Sequence, residues 1–391
     1  MTIGKRFASA LGCALMVAAM AGYASAAGYT QTNLVSNGAV TAAHTDPNLI
    51  NPWGISFFPG SSPFWVSDNN AGVATLYDGT GLPNPLIVDI PSPADPTHGG
   101  ATGAPTGQVA NLSLFTSPSF PIFQNGSFAG LALFIFATED GTIEAWNSLP
   151  FTPPGITDPD GPLPFSDDAV IVVDNSPAGA VYKGLALADR TIGTGSLPFL
   201  YATNFRTGNI DVFDGGFNQV AVPGGFNDPR VQAGYAPFGI QNINNHLWVT
   251  YAQQDAAKHD PVNKPGHGYV SVFDTDGNLL SHFTQRGHLN SPWGVGLAPA
   301  DFGQFANDIM VGNFGNGQIN AFDPVTAEFL GTLSDASGNP IVNPGLWTVT
   351  FSGPAGATAM NAPPDTLYIT AGLIGPTHEN AGLFAKISPN P

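Results

Sequence analysis

Oxygen-bearing side chains recur at matched places in this chain. Asp68, Glu139, Asn204 and Asn313 each follow a short apolar run and precede a Gly-containing turn. If they converge, two carboxylates and two amides supply part of the oxygen shell of a hard cation. Calcium, which takes about six to eight oxygens, is the cation such a set suits. The same residue types also close strands simply because turns follow them. Histidines are the other acid–base candidates. His44 and His288 each lie shortly before a Pro-Trp-Gly sequence, and His378 stands beside Glu379. Any of the three could act as the base of a hydrolase or lyase, or stand as a solvated loop residue. Asp158-Pro159-Asp160-Gly161, with Asp167-Asp168 further on, forms a carboxylate-rich turn. It lacks the later glutamate that a calcium loop requires. There is no nucleophile elbow, phosphate loop, zinc motif or dinucleotide fingerprint.

The elements that would position these groups are repeats. A Gly-led apolar strand, a second strand ending in a polar residue, and a third strand often ending Phe-Asp recur about every 55 residues. The copies begin near Gly54, Gly130, Gly184, Gly239 and Gly294, and a looser sixth begins near Leu346. The long first interval is explained by an insertion over Pro91 to Gly107. Short β segments of alternating polarity without helical periodicity predict an all-β, six-bladed propeller with four-stranded blades. The leading glycines suit inner strands crowded at an axis. The segment from Tyr29 to Val35 is expected to close the ring as the outer strand of the last blade, beside Leu383 to Ile387. Trp53, Phe238 and Trp293, beside the leading glycines, are expected either in the core between blades or lining a channel or a carbohydrate-stacking surface.

Composition narrows the function classes. The 391 residues carry a formal net charge of −18, with 28 acids against 10 Lys and Arg. That balance excludes a phosphate-binding basic face, and so a nucleic-acid partner. Hydrophobic residues make up 43%, and 27 are Phe, which excludes intrinsic disorder. Residues 1–26 form a signal peptide. Lys5 and Arg6 precede an apolar run to Met20, and Ala24-Ser25-Ala26 offers a cleavage site. Residues 27–391 are then one propeller domain, exported to the periplasm or the medium, with no membrane span. Cys13, the chain's one cysteine, leaves with the leader, so disulfides play no part.

The fifth repeat, Ser291-Pro292-Trp293-Gly294-Val295 through Gly317-Gln318-Ile319-Asn320-Ala321-Phe322-Asp323, resembles an NHL-type repeat. More of the chain is similar to a family of uncharacterised bacterial exported six-bladed propellers, some with a PEP-CTERM sorting tail. The stretches that carry this include Asp46-Pro47-Asn48-Leu49-Ile50-Asn51-Pro52-Trp53-Gly54-Ile55, Phe64-Trp65-Val66-Ser67-Asp68-Asn69 and Gly287-His288-Leu289-Asn290-Ser291-Pro292-Trp293-Gly294. The resemblance implies the fold and export, and no activity. The chain also resembles calcium-dependent lactonase propellers in blade number. Those place metal ligands at the starts of inner strands, where this chain has Trp53, Ala129, Lys183, Phe238, Trp293 and Leu346, none an acid or amide. The expected function is an exported binding or structural propeller whose partner is an envelope protein or glycan. The alternative is a metal-dependent hydrolase, lactonase or lyase working at the channel mouth. A filament or surface-layer subunit is a third expectation, from the low charge density.

Overall fold

Six sheets, antiparallel except for one short parallel pair in the last, stand around one axis. The computed structural model describes residues 28–60, 62–96, 101–124, 126–148, 167–353, 356–364, 366–373 and 380–391. Residues 1–26, expected as a signal peptide, together with His378 and Asp158 to Gly161, lie outside the described residues. Blade 1 runs from an inner strand Pro52–Ser56 outward through Phe64–Asp68, Val73–Tyr77 and Val88–Asp89. The inner strands of the next four blades are Pro105–Ala110, Tyr182–Ile192, Tyr235–Ile243 and Pro292–Leu297. Blade 6 runs Leu346–Phe351, Leu367–Ala371 and Leu383–Pro389. Its fourth strand comes from the other end of the chain: Tyr29–Ser36 pairs antiparallel with Leu383–Pro389, and His44–Thr45 adds a short fifth strand. The expected closure is therefore present.

Apolar packing confirms the ring. Each of six buried clusters joins two neighbouring blades. Phe64, Tyr77, Tyr368 and Phe384 join blades 1 and 6 across the closure. Tyr29 packs with Phe302 and Phe305 between blades 5 and 6. A seventh cluster lies on the axis.

Glycine sets how closely the inner strands approach. A Cβ on Gly54 would stand 2.6 Å from the Thr106 carbonyl oxygen, and one on Gly239 would stand 2.0 Å from that of Trp293. Gly107, Gly184 and Gly294 likewise face the next blade's backbone. Blade 6 carries Thr348 at this place, and its hydroxyl bonds the Trp53 carbonyl at 2.6 Å, closing the circle. Each of the six inner strands also shifts register around its glycine or Thr348. At Gly184 and Gly239 the hydroxyls of Thr203 and Thr250 accept from the displaced N–H, at 2.7 and 2.8 Å.

Blade 2 corrects the sequence reading. Its inner strand is Pro105–Ala110, so its leading glycine is Gly107, not Gly130. Residues 105–107 thus belong to the blade rather than to an insertion. The segment around Ala129-Gly130-Leu131 is half of a hairpin, Pro121–Gln124 with Ser127–Leu131, inserted between the first two strands. That hairpin copies the apolar pattern of an inner strand, whereas the true strand is polar. Gln108 is buried there because its carboxamide bonds the Gly54 and Trp65 carbonyls, at 2.8 and 3.0 Å.

Candidate functional site: two ends of the axial channel

The end at which the inner strands begin is sealed. Trp53, Phe238, Trp293 and Trp347 precede the glycine or Thr348 in their strands, and pack with Phe205 and Phe314. Trp53 stacks on Trp347 with centroids 3.4 Å apart, and Trp293 meets both rings edge-on. Blade 3 places Lys183 in this aromatic company, fully buried. Its ammonium pairs with Glu139, lies 3.7 Å from Asp260 and sits 5.1 Å from the Trp53 ring centroid. The ion pair and the aromatic face together offset the cost of burying the charge. Asn69 donates to the second Glu139 oxygen at 3.1 Å. His259 Nδ1 lies 3.1 Å from Asp260. That hydrogen bond raises the His259 pKa and lowers that of Asp260. Glu139, His259 and Asp260 bring potential ligand atoms within 4.8 Å of one another.

The four sequence-matched groups do not share an environment. Asp68 is fully buried and accepts from Thr75 at 2.6 Å; burial pushes its carboxyl well above the usual range. Asn204 donates to Asp211 at 3.0 Å, inside blade 3. Asn313 accepts from the Asn290 N–H at 2.8 Å and donates toward the His288 carbonyl. Among the described residues no hydrogen bond joins any two of the four. The register explains the split. Asp68, Asn204 and Asn313 lie opposite Pro52, Tyr182 and Pro292, but in blade 2 the residue opposite Pro105 is Thr138. Glu139 is one residue further on, level with Asn69, Phe205 and Phe314. All four share the same backbone bond, to Ala104, Asn51, Val181 and Ser291 respectively. A shift of one residue along a strand swaps the face presented. Glu139 therefore reaches the axis while the other three serve their own blades.

The histidines are also separate. His44 lies half-buried on the outermost strand of blade 6. His288 is exposed before blade 5, with its ring stacked on Phe329 at 3.5 Å. Sequence reasoning missed Lys183 as a functional group, although it is the one charged residue at the position preceding the axial glycines. It also missed His259 and Asp260, which come from the long loop joining the second and third strands of blade 4.

The opposite end opens as a funnel. A cavity of about 530 Å³ is lined by the second halves of the inner strands, including Ser56, Gln108, Leu187, Asp189, Gln241 and Thr350. Leu112, Ser113 and Thr116 of the blade 2 insertion form part of its wall. That insertion, residues 111–133, contains no charged residue and exposes Phe115, Phe123 and Phe128.

Fold and channel together define a six-bladed β-propeller sealed at one end. The chain belongs to the family of two uncharacterised proteins of Acanthamoeba polyphaga mimivirus. Uncharacterized protein L690 is 34% identical over 320 residues, which is 80% of this chain and 76% of the relative. Uncharacterized protein R648 is 32% identical over 322 residues, 80% of this chain and 71% of the relative. No family model matches the chain. Among solved structures, a protein of unknown function from Bacteroides thetaiotaomicron has a TM-score of 0.51 at 10% identity, covering 92% of this chain and 76% of its own. A glucose dehydrogenase has a TM-score of 0.46 at 14% identity, covering 91% and 98%. These likenesses concern the fold alone.

Proposed function

We propose that this chain is a non-catalytic, exported binding propeller whose ligand enters the funnel. The observation that carries this reading is the funnel's lining. Its volume lies within the range of small-ligand sites, and Asp189 is the single ionisable group among the described residues that line it. Acid–base catalysis ordinarily needs a second titratable group placed against the first, and the lining supplies none. Export is supported by the basic start, apolar run and small-residue site of residues 1–26, and by the resemblance to exported bacterial propellers. Isothermal titration of the purified protein against envelope polymers tests the function. Saturable binding without product formation is expected, and turnover of a small substrate would overturn it.

A second reading, a metal-dependent hydrolase, is favoured by Glu139, His259 and Asp260 at the sealed end. The Lys183 ammonium between the two carboxylates opposes a cation there. Elemental analysis decides: a stoichiometric metal lost on Glu139→Gln substitution would favour this reading over the first.

A further inference from the structure

The funnel's polar atoms divide into those already bonded and those left open. Gln108 is spent on Gly54, Trp65 and Ser56. Asn245 is spent on the backbone of Asp189, donating at 2.9 Å and accepting at 3.1 Å. Asn242 donates to the Leu187 carbonyl at 2.8 Å, but its Oδ1 is buried without a partner. Among the described residues the Gln241 carboxamide, the Thr350 hydroxyl and the Asp189 carboxylate have no hydrogen-bond partner, and all three line the funnel. Gln241 and Thr350 also line its narrow continuation toward the plug. Phe57 and Phe351 stand half-buried in the same wall.

This open set has a definite chemical preference. With no ammonium or guanidinium among the described lining residues, it offers no counter-charge to an anionic ligand. Its acceptors are the two Asp189 oxygens, Asn242 Oδ1, the Gln241 oxygen and the Thr350 hydroxyl. Its donors are the Gln241 amide and the same hydroxyl. A ligand that satisfies them carries several O–H donors close together, with some acceptors, and no negative charge. The phenylalanine rings ask that it also present an apolar face. The buried Asn242 oxygen adds pressure, since a buried acceptor left unmade costs about 1–3 kcal/mol.

We propose that the funnel binds a neutral saccharide, a single sugar or the end of a glycan chain. Its hydroxyls are held by Asp189, Gln241, Asn242 and Thr350, and its C–H face lies against Phe351 or Phe57. This inference rests on the funnel being the binding site, and the test separates the two. Isothermal titration is run with neutral mono- and oligosaccharides of glucose, galactose, mannose and N-acetylglucosamine. Acetyl-trialanine amide serves as a neutral non-sugar probe. Hydrogen exchange locates whatever binds. At least one saccharide is expected to bind and to protect residues 241–245 and 350–351. Gln241→Ala should weaken that binding at least ten-fold and Thr350→Val at least three-fold, with unchanged melting temperatures. If the peptide amide protects the funnel and no saccharide does, the saccharide inference fails while the site stands. If no saccharide binds, or if binding survives both substitutions unchanged, the inference is overturned. Binding that protects only residues elsewhere overturns both.

Discussion

Replacing Lys183 with Met would leave Glu139 facing Trp53 without its counter-charge. The Lys183 side chain is 1% exposed and that of Glu139 14%. Removing one partner of a buried ion pair costs about 3–5 kcal/mol, because the other charge stays desolvated. Glu139 keeps the Asn69 hydrogen bond, which places the expected loss near the lower bound, at about 3 kcal/mol. Glu139→Gln should cost less, about 2 kcal/mol, since Lys183 retains Asp260 and the aromatic faces of Trp53 and Phe205. The double variant removes both charges and should cost clearly less than the two single changes together. A coupling of about 2 kcal/mol is expected, in the range for contacting groups. Urea denaturation of the four proteins at one pH measures the cycle. Additivity within about 0.5 kcal/mol, or a Lys183→Met loss below about 1 kcal/mol, would refute the claim that the pair holds the sealed end together.

Gly239→Ala should destabilise by about 2 kcal/mol or more, since its Cβ would strike the Trp293 carbonyl. Gly195→Ala, whose Cβ would meet only the Ile192 carbonyl oxygen at 3.9 Å, should stay within about 0.5 kcal/mol by the same urea assay. Tyr29→Ala should cost about 3–5 kcal/mol, as for other large buried aromatics, because that ring packs between blades 5 and 6 and its hydroxyl bonds the Phe302 carbonyl; a melting temperature equal to wild type would contradict the closure. Burial holds the Asp68 and Glu144 carboxyls well above their ordinary values. Their folded forms keep protons that the unfolded chain releases above about pH 4. Their contribution is full below that pH and is lost as pH rises through the raised folded values. The Asp68→Asn and Glu144→Gln variants should therefore gain on wild type as pH rises above about 4, and parallel urea midpoints would sink this.

The ring was legible because its cause is periodic: glycine where inner strands touch, alternating apolar residues between blades, and a spare strand at the chain start. Blade 2 was misplaced because two segments competed for one role. Phe128-Ala129-Gly130-Leu131 has the apolar look of an inner strand, while Pro105-Thr106-Gly107-Gln108 owes its burial to hydrogen bonds that periodicity does not register. The resulting slip put Glu139 level with Asp68, when its true neighbours in register are Asn69 and Phe205. The Lys183 cluster was less visible still. Lys183, Glu139 and Asp260 are brought together only by the closure of three blades, and no local pattern encodes that meeting. The funnel was unread because its residues follow the glycines, whereas attention to strand starts and strand ends passed them by.

The aromatic plug has a consequence for traffic. With Trp53, Trp293 and Trp347 jammed across the hub, the molecule is a blind well and not a pipe. Whatever settles inside must back out the way it came. The loops on the far side, His259 and Asp260 among them, are separated from the funnel by that plug.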